Sequence, residues 1–110
     1  MPIFDIHSTE DINNKILTSP NVVIVFHQPN CGACILYENT IDEVNKKFDN
    51  QNLVIIRMNV RENPNFAREN LVQGTPTSLF YKNGKQVRRF EGYVTTEVLE
   101  GHLKNSKLIS

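Results

Sequence analysis

Val22-Val23-Ile24-Val25-Phe26-His27-Gln28-Pro29-Asn30-Cys31-Gly32-Ala33-Cys34 joins an unbroken apolar run to two cysteines separated by two residues. The first five residues are short, mostly β-branched and preceded by the loop signal Ser19-Pro20-Asn21, the pattern of a strand buried on both faces. A strand of that kind belongs in the middle of a sheet. Beyond Cys31, Cys34, Tyr37, Ile41, Val44 and Phe48 recur at steps of three and four, with Glu38, Asp42, Glu43, Asn45, Lys46 and Lys47 between them. This is a long amphipathic helix, expected to end near Asp49-Asn50. The cysteine pair therefore falls where a central strand gives way to a helix. There, free backbone N–H groups and the helix dipole favour negative charge.

The flanking segments supply the rest of the sheet. Ile3, Phe4 and Ile6 make a short strand, after which Ser8 or Thr9 caps a helix running to about Leu17, with Glu10 and Asp11 at its positive end. Leu53 to Ile56, with Met58 and Val60, forms a second buried strand, and Asn63-Pro64 opens a short helix that ends before Gly74. Thr77 to Lys82 and Lys85 to Phe90 flank Asn83-Gly84, a pair suited to the positive φ values of a two-residue hairpin turn. Gly92 breaks the second hairpin strand, and a last helix starting at Thr95 or Thr96 turns Val98, Leu99, Leu103 and Leu108 inward. The order β-α-β-α-β-α-β-β-α predicts an α/β fold: a mixed central sheet of three parallel-connected strands and a C-terminal antiparallel hairpin, flanked by four helices.

The 110 residues suit a single domain covering 1–110, with no repeat, linker or low-complexity tract. Twelve basic residues balance twelve acidic ones, so no long-range field draws nucleic acid or an anionic membrane. Arg88-Arg89 is too small a basic patch for a nucleic-acid footprint and is read as a solvated hairpin, with His7 and His102 as surface residues. The first residues lack the basic and apolar regions of a secretory signal, and no apolar run approaches membrane-spanning length. A cytoplasmic monomer is the expectation, although a mature chain with its signal removed would look the same.

A pair of cysteines this close suits reactive chemistry in a reducing compartment. An exposed first thiolate attacks a disulfide, and the second thiol resolves the mixed disulfide. Position alone makes Cys31 the nucleophile and Cys34 the resolving thiol. Gly32 leaves room for a substrate backbone and Ala33 is a small helix former. A structural CxxC and a zinc site stay open as rival readings; the latter has only His7, His27 and His102 to complete it. Gly74-Thr75-Pro76-Thr77 places a proline at the start of a strand, where it marks an edge, a bulge or a cis bond.

Taken in order, Val22–Phe26, Cys31–Cys34, Met58-Asn59-Val60, Glu62-Asn63-Pro64, Gly74–Thr77, Phe80–Gly84 and Gly92 resemble the thioredoxin family from about Ile3 to Leu103. The resemblance implies a thioredoxin fold and reduction of protein disulfides by a Cys31/Cys34 dithiol cycle, with no bound cofactor or metal. Its implied partners are protein disulfide substrates and a thioredoxin reductase-like electron donor. It further implies a cis Pro76 facing the cysteines and a substrate groove formed by Asn30, Gly32, Ala33, Thr75, Pro76, Gly92 and Tyr93.

Several positions depart from the family pattern. Asn30 and Ala33 stand where tryptophan and proline are usual, and Val25 replaces a buried aspartate whose lysine partner corresponds to Arg57. His27 takes an aromatic position and becomes a possible proton relay. An oxidase or isomerase, and an interaction module with incidental redox activity, are the alternatives that these departures leave open.

Overall fold

The computed structural model describes residues 3–48 and 51–110 of the chain. Its elements are β1 (Ile3–Asp5), α1 (Thr9–Thr18), β2 (Asn21–His27), α2 (Gly32–Lys47), β3 (Val54–Asn59), α3 (Pro64–Glu69), β4 (Thr77–Lys82), β5 (Lys85–Glu91) and α4 (Thr96–Asn105). The sheet order β1-β3-β2-β4-β5 puts β2 at the centre. β1, β3 and β2 run parallel, whereas β4 is antiparallel to both β2 and β5. This is the mixed sheet and antiparallel hairpin that the sequence predicts. The expected end of α2 at Asp49-Asn50 lies outside the described residues; within them, the Phe48 N–H closes the helix on Val44 O.

Alternation along β2 divides the core in two. Val23 and Val25 face Tyr37, Ile41 and Val44 of α2 and Leu99 and Leu103 of α4. Val22, Ile24 and Phe26 face Ile12 and Ile16 of α1 and Phe66 and Ala67 of α3. Each layer needs the other, because β2 has no solvent face to spare. The hairpin turn carries φ +51° at Asn83 and +83° at Gly84, matching the two positive values that the dipeptide signals.

Three expectations are corrected. Val98 is 47% exposed, since Leu99 and Leu103 alone occupy the inward stripe of α4 and Val98 sits about a quarter turn to their side. Leu108 is buried but lies beyond α4. Lys107 adopts φ +60°, its N–H reaching Lys104 O and that of Leu108 reaching Leu103 O, a Schellman closure that folds Leu108 back onto Leu103. Nor are Arg88, Arg89 and His102 a solvated set. Arg88 donates to Ser106 Oγ and His102 Nδ1 at 3.0 Å each, Arg89 donates to the carbonyls of Asn70 and Leu71, and the His102 ring stacks on Phe90. The hairpin is thus tied to both flanking helices.

Inside the α2 layer, the hydroxyls of Tyr37 and Ser78 share a hydrogen bond of 2.8 Å, and both residues are buried. Burial holds the Tyr37 phenol protonated far above the ordinary range, against the opposing effect of its bond to Ser78. Either single truncation leaves a buried hydroxyl unpaired. Tyr37→Phe and Ser78→Ala are each expected to cost about 1–3 kcal/mol, and the double variant clearly less than their sum. Urea denaturation of the four proteins checks this, and strict additivity would contradict it.

A second Schellman closure caps α3, with Leu71 at φ +59° and 72% exposed. Its N–H reaches Arg68 O while that of Val72 reaches Ala67 O. A leucine there strains the backbone and buries almost nothing. Leu71→Gly should raise stability by about 0.5–1 kcal/mol, read as a higher urea midpoint at unchanged slope.

Candidate active site

Asn30, at φ +59°, turns the chain sharply between β2 and α2, a left-handed conformation that asparagine tolerates better than most residues. Cys31 comes next as the N-cap of α2, and its Sγ accepts the Cys34 N–H at 3.1 Å. The first turn carries no acidic side chain, so the positive end of the helix faces the sulfur unopposed from its own element. Cys31 and Cys34 are joined as a disulfide with their Cα atoms 5.2 Å apart, and both are partly exposed.

Opposite them lies the segment before β4. The Thr75–Pro76 bond is cis, and Pro76 is buried. β4 is an interior strand, so the proline marks neither a sheet edge nor a position inside the strand; it stands one residue ahead of it. The Thr75 hydroxyl donates to Cys31 Sγ at 3.4 Å, and the Thr75 carbonyl oxygen lies 3.5 Å from the same sulfur. The Thr77 hydroxyl closes the turn on Gly74 O at 2.6 Å.

Gly92, at φ +89°, donates its N–H to Pro76 O at 2.7 Å, which brings the bend after β5 against the proline. The Thr40 hydroxyl on α2 holds Val94 O at 2.9 Å, anchoring the same bend to the helix that carries the cysteines. Tyr93, between these anchors, is 43% exposed. Of the residues nominated from sequence, Cys31, Cys34, Thr75, Pro76 and Gly92 are thus linked by bonded or hydrogen-bonded contacts. Asn30, Gly32 and Ala33 surround them as exposed or partly exposed positions.

His27 ends β2 and is half-buried; among the described residues its ring has no hydrogen bond to either cysteine. Burial, and after it the Arg57 guanidinium, lowers its pKa below the ordinary 6.5, while the carboxylates of Asp5, Glu38 and Glu62 pull the other way. Arg57 reaches Asp5 at 3.4 Å and Glu38 at 3.5 Å, and it is the direct β3 neighbour of buried Val25. A neutral imidazole with a free lone pair is the form favoured at neutral pH. His7 pairs instead with Glu62, and no cluster of metal-ligating side chains forms among the described residues.

Two features had escaped the sequence. Gln28 Nε2 donates to Thr75 Oγ1 at 2.8 Å, a contact visible only once the register of β2 with β4 is known. Ile35 and Leu36, directly after Cys34, are 62% and 53% exposed, leaving apolar surface on α2 next to the disulfide. Their polar-side position was readable from the helical period, but not their nearness to the groove.

A family model described as Thioredoxin matches residues 4–105. The chain is 34% identical over 84 residues to thioredoxin of Rickettsia typhi, an alignment covering 74% of this chain and 79% of the relative. It is 30% identical over 99 residues to thioredoxin of Griffithsia pacifica, covering 86% and 90% respectively. In fold it resembles the oxidised mitochondrial thioredoxin 3 of Saccharomyces cerevisiae, with a TM-score of 0.83, 22% identity and 94% of each chain covered. With a cysteine pair at a helix N-terminus beneath a cis-proline segment, and a family match over nearly its whole length, the chain belongs to the thioredoxin family and is a thiol-disulfide oxidoreductase whose redox group is Cys31–Cys34.

Proposed function

We propose that Cys31 is the attacking thiolate and Cys34 the resolving thiol, and that the physiological direction is reduction of protein disulfides. The observation that carries this reading is the donor set at Cys31 Sγ: the Cys34 N–H and the Thr75 hydroxyl, at the positive end of α2. In the reduced protein, Cys31 thiolate attacks one sulfur of a substrate disulfide, forming a mixed disulfide and expelling one substrate thiolate. Cys34 then loses its proton and attacks Cys31 Sγ, which forms the Cys31–Cys34 disulfide and expels the second substrate thiolate. Two electrons from a thioredoxin reductase-like donor restore the dithiol.

The substrate lies along Thr75, Pro76, Gly92 and Tyr93, with the open faces of Asn30, Gly32 and Ala33 on the other side. Ile35 and Leu36 offer it apolar contact. His27, kept neutral by its surroundings, is the proposed acceptor of the Cys34 proton, in place of a carboxylate at Val25. A cytoplasmic monomer in a reducing compartment is the proposed setting.

Cys34→Ser is expected to accumulate a mixed disulfide with a protein substrate and Cys31→Ser to form none, as read by non-reducing electrophoresis after acid quench. Trapping by the opposite variant would reverse the two roles. In a glutathione buffer, a potential near about −270 mV supports the reductase direction, whereas one near −120 to −180 mV would turn the assignment to oxidase or isomerase.

The His27 role has its own signature. Because its pKa is lowered, the imidazole is neutral at pH 7 and charges only as pH falls below the ordinary histidine range, so resolution should slow on acidification. His27→Ala should slow release from a preformed mixed disulfide at least about tenfold at pH 7 and flatten that acid limb. Unchanged release and an unchanged Cys31 titration would end the proposal.

A further inference from the structure

β2 leaves the sheet at His27, yet its register with β4 still organises the loop beyond. Phe26 pairs with Thr77, and continuing that alignment past the last pair sets His27 against Pro76 and Gln28 against Thr75. The two side chains of this final pair are hydrogen-bonded, Gln28 Nε2 donating to Thr75 Oγ1 at 2.8 Å, while Thr75 Oγ1 stands 3.4 Å from Cys31 Sγ. Both residues are half-buried, which limits competition from water.

A hydroxyl has one proton to give and two lone pairs to receive with. An amide N–H directed at Thr75 Oγ1 occupies a lone pair and offers no acceptor, so the hydroxyl proton is left for the sulfur. We propose that Gln28 is a positioning residue that acts through Thr75, holding its hydroxyl proton on Cys31 Sγ and so stabilising the thiolate of the reduced protein. The rest of Thr75 works in the other direction: its carbonyl, 3.5 Å from Sγ, can accept a proton from a thiol but offers nothing to a thiolate.

Orientation of that hydroxyl therefore decides which form Thr75 favours, and Gln28 sets the orientation. Charged and titratable groups on the surrounding elements include His27 of β2, Glu38 of α2, Arg57 of β3, Glu91 of β5 and Tyr93 in the bend. Among the described residues none of these bonds to Sγ, whose donors are the Cys34 N–H and the Thr75 hydroxyl.

The inference rests on Cys31 being the attacking thiolate, and its test separates the two. In the reduced full-length protein, the ultraviolet absorbance of thiolate is titrated against pH, with a Cys34→Ser control in which Cys31 alone responds. Thr75→Val should cut the thiolate fraction below the midpoint about tenfold, the equivalent of one charge-assisted hydrogen bond of about 1.4 kcal/mol, and Thr75→Ser should restore it. Gln28→Leu should cut it about threefold in the native background and add nothing in the Thr75→Val background. Gln28→Ala serves as a second truncation should leucine disturb the loop.

A Gln28→Leu effect of equal size in both backgrounds would overturn the relay, as would no effect. A rise in thiolate would overturn it too, since it would mean that the amide oxygen takes the hydroxyl proton. If the Cys34→Ser control shows no thiolate below the ordinary cysteine range, the assignment of Cys31 itself fails. If it does and Gln28→Leu is silent, only the relay does.

Discussion

The burial of β2 from both sides is the constraint on which the site depends. Val22 to Phe26 are all at most 3% exposed, divided between the α2/α4 layer and the α1/α3 layer, so a slip of one residue would exchange every side chain between the two cores. A strand so fixed also fixes its neighbours: β3 on one side, β4 on the other. The antiparallel ladder with β4 ends at Phe26 and Thr77, and the next residue of the partner, Pro76, has no N–H to continue it. The chain turns at that point, and Thr75, just before the proline, presents its hydroxyl and its carbonyl to Cys31.

In the proposed mechanism the Cys31 thiolate consequently draws its stabilisation from three sources of different origin. The helix supplies its unopposed N-terminus and the Cys34 N–H, the segment before β4 supplies the Thr75 hydroxyl, and the strand end supplies Gln28 behind it. None requires a buried charge. Val25 makes the same choice deeper in the core, where a carboxylate would have to overcome a desolvation penalty of several kcal/mol before repaying it by pairing with Arg57. Arg57 instead turns to Asp5 and Glu38, whose side chains remain substantially exposed. Charge is kept at the rim and neutral hydrogen bonding at the sulfur.

Much of this was legible in the sequence, for physical reasons that also mark its limits. The unbroken apolar run identifies β2 because burial acts on both of its faces, the period-3.6 pattern identifies α2 because burial acts on one of its faces, and Asn83-Gly84 identifies its turn because few other pairs tolerate two positive φ values. Cys31 and Cys34 were readable from spacing and placement. Gln28 was not, since its partner lies 47 residues away and only the strand register brings them together. Arg88 and His102 were misread as surface for the same reason: their contacts join a hairpin to a helix, and no local pattern reports them. Pro76 was intermediate, its cis bond coming from the family pattern because residue type alone sets only a low prior.

The donor set at Cys31 also bears on what kind of reductant this protein makes. Each tenfold gain in thiolate fraction lowers the intrinsic reactivity of the sulfur, with a Brønsted coefficient of about 0.4–0.5, so roughly half of the logarithmic gain survives as rate. That return ends once the thiolate is fully formed at ambient pH, after which further stabilisation only weakens the nucleophile and favours the reduced protein. A reductase is thus best served by donors of moderate strength that can be adjusted separately. A hydroxyl at 3.4 Å, oriented by an uncharged amide, is a donor of that kind, whereas a cation held against the same sulfur would push the pair toward an oxidant. The neutral surroundings of Cys31 and the peripheral placement of Arg57 therefore fit the proposed reductase direction, which asks for a thiolate that still gives up its electrons.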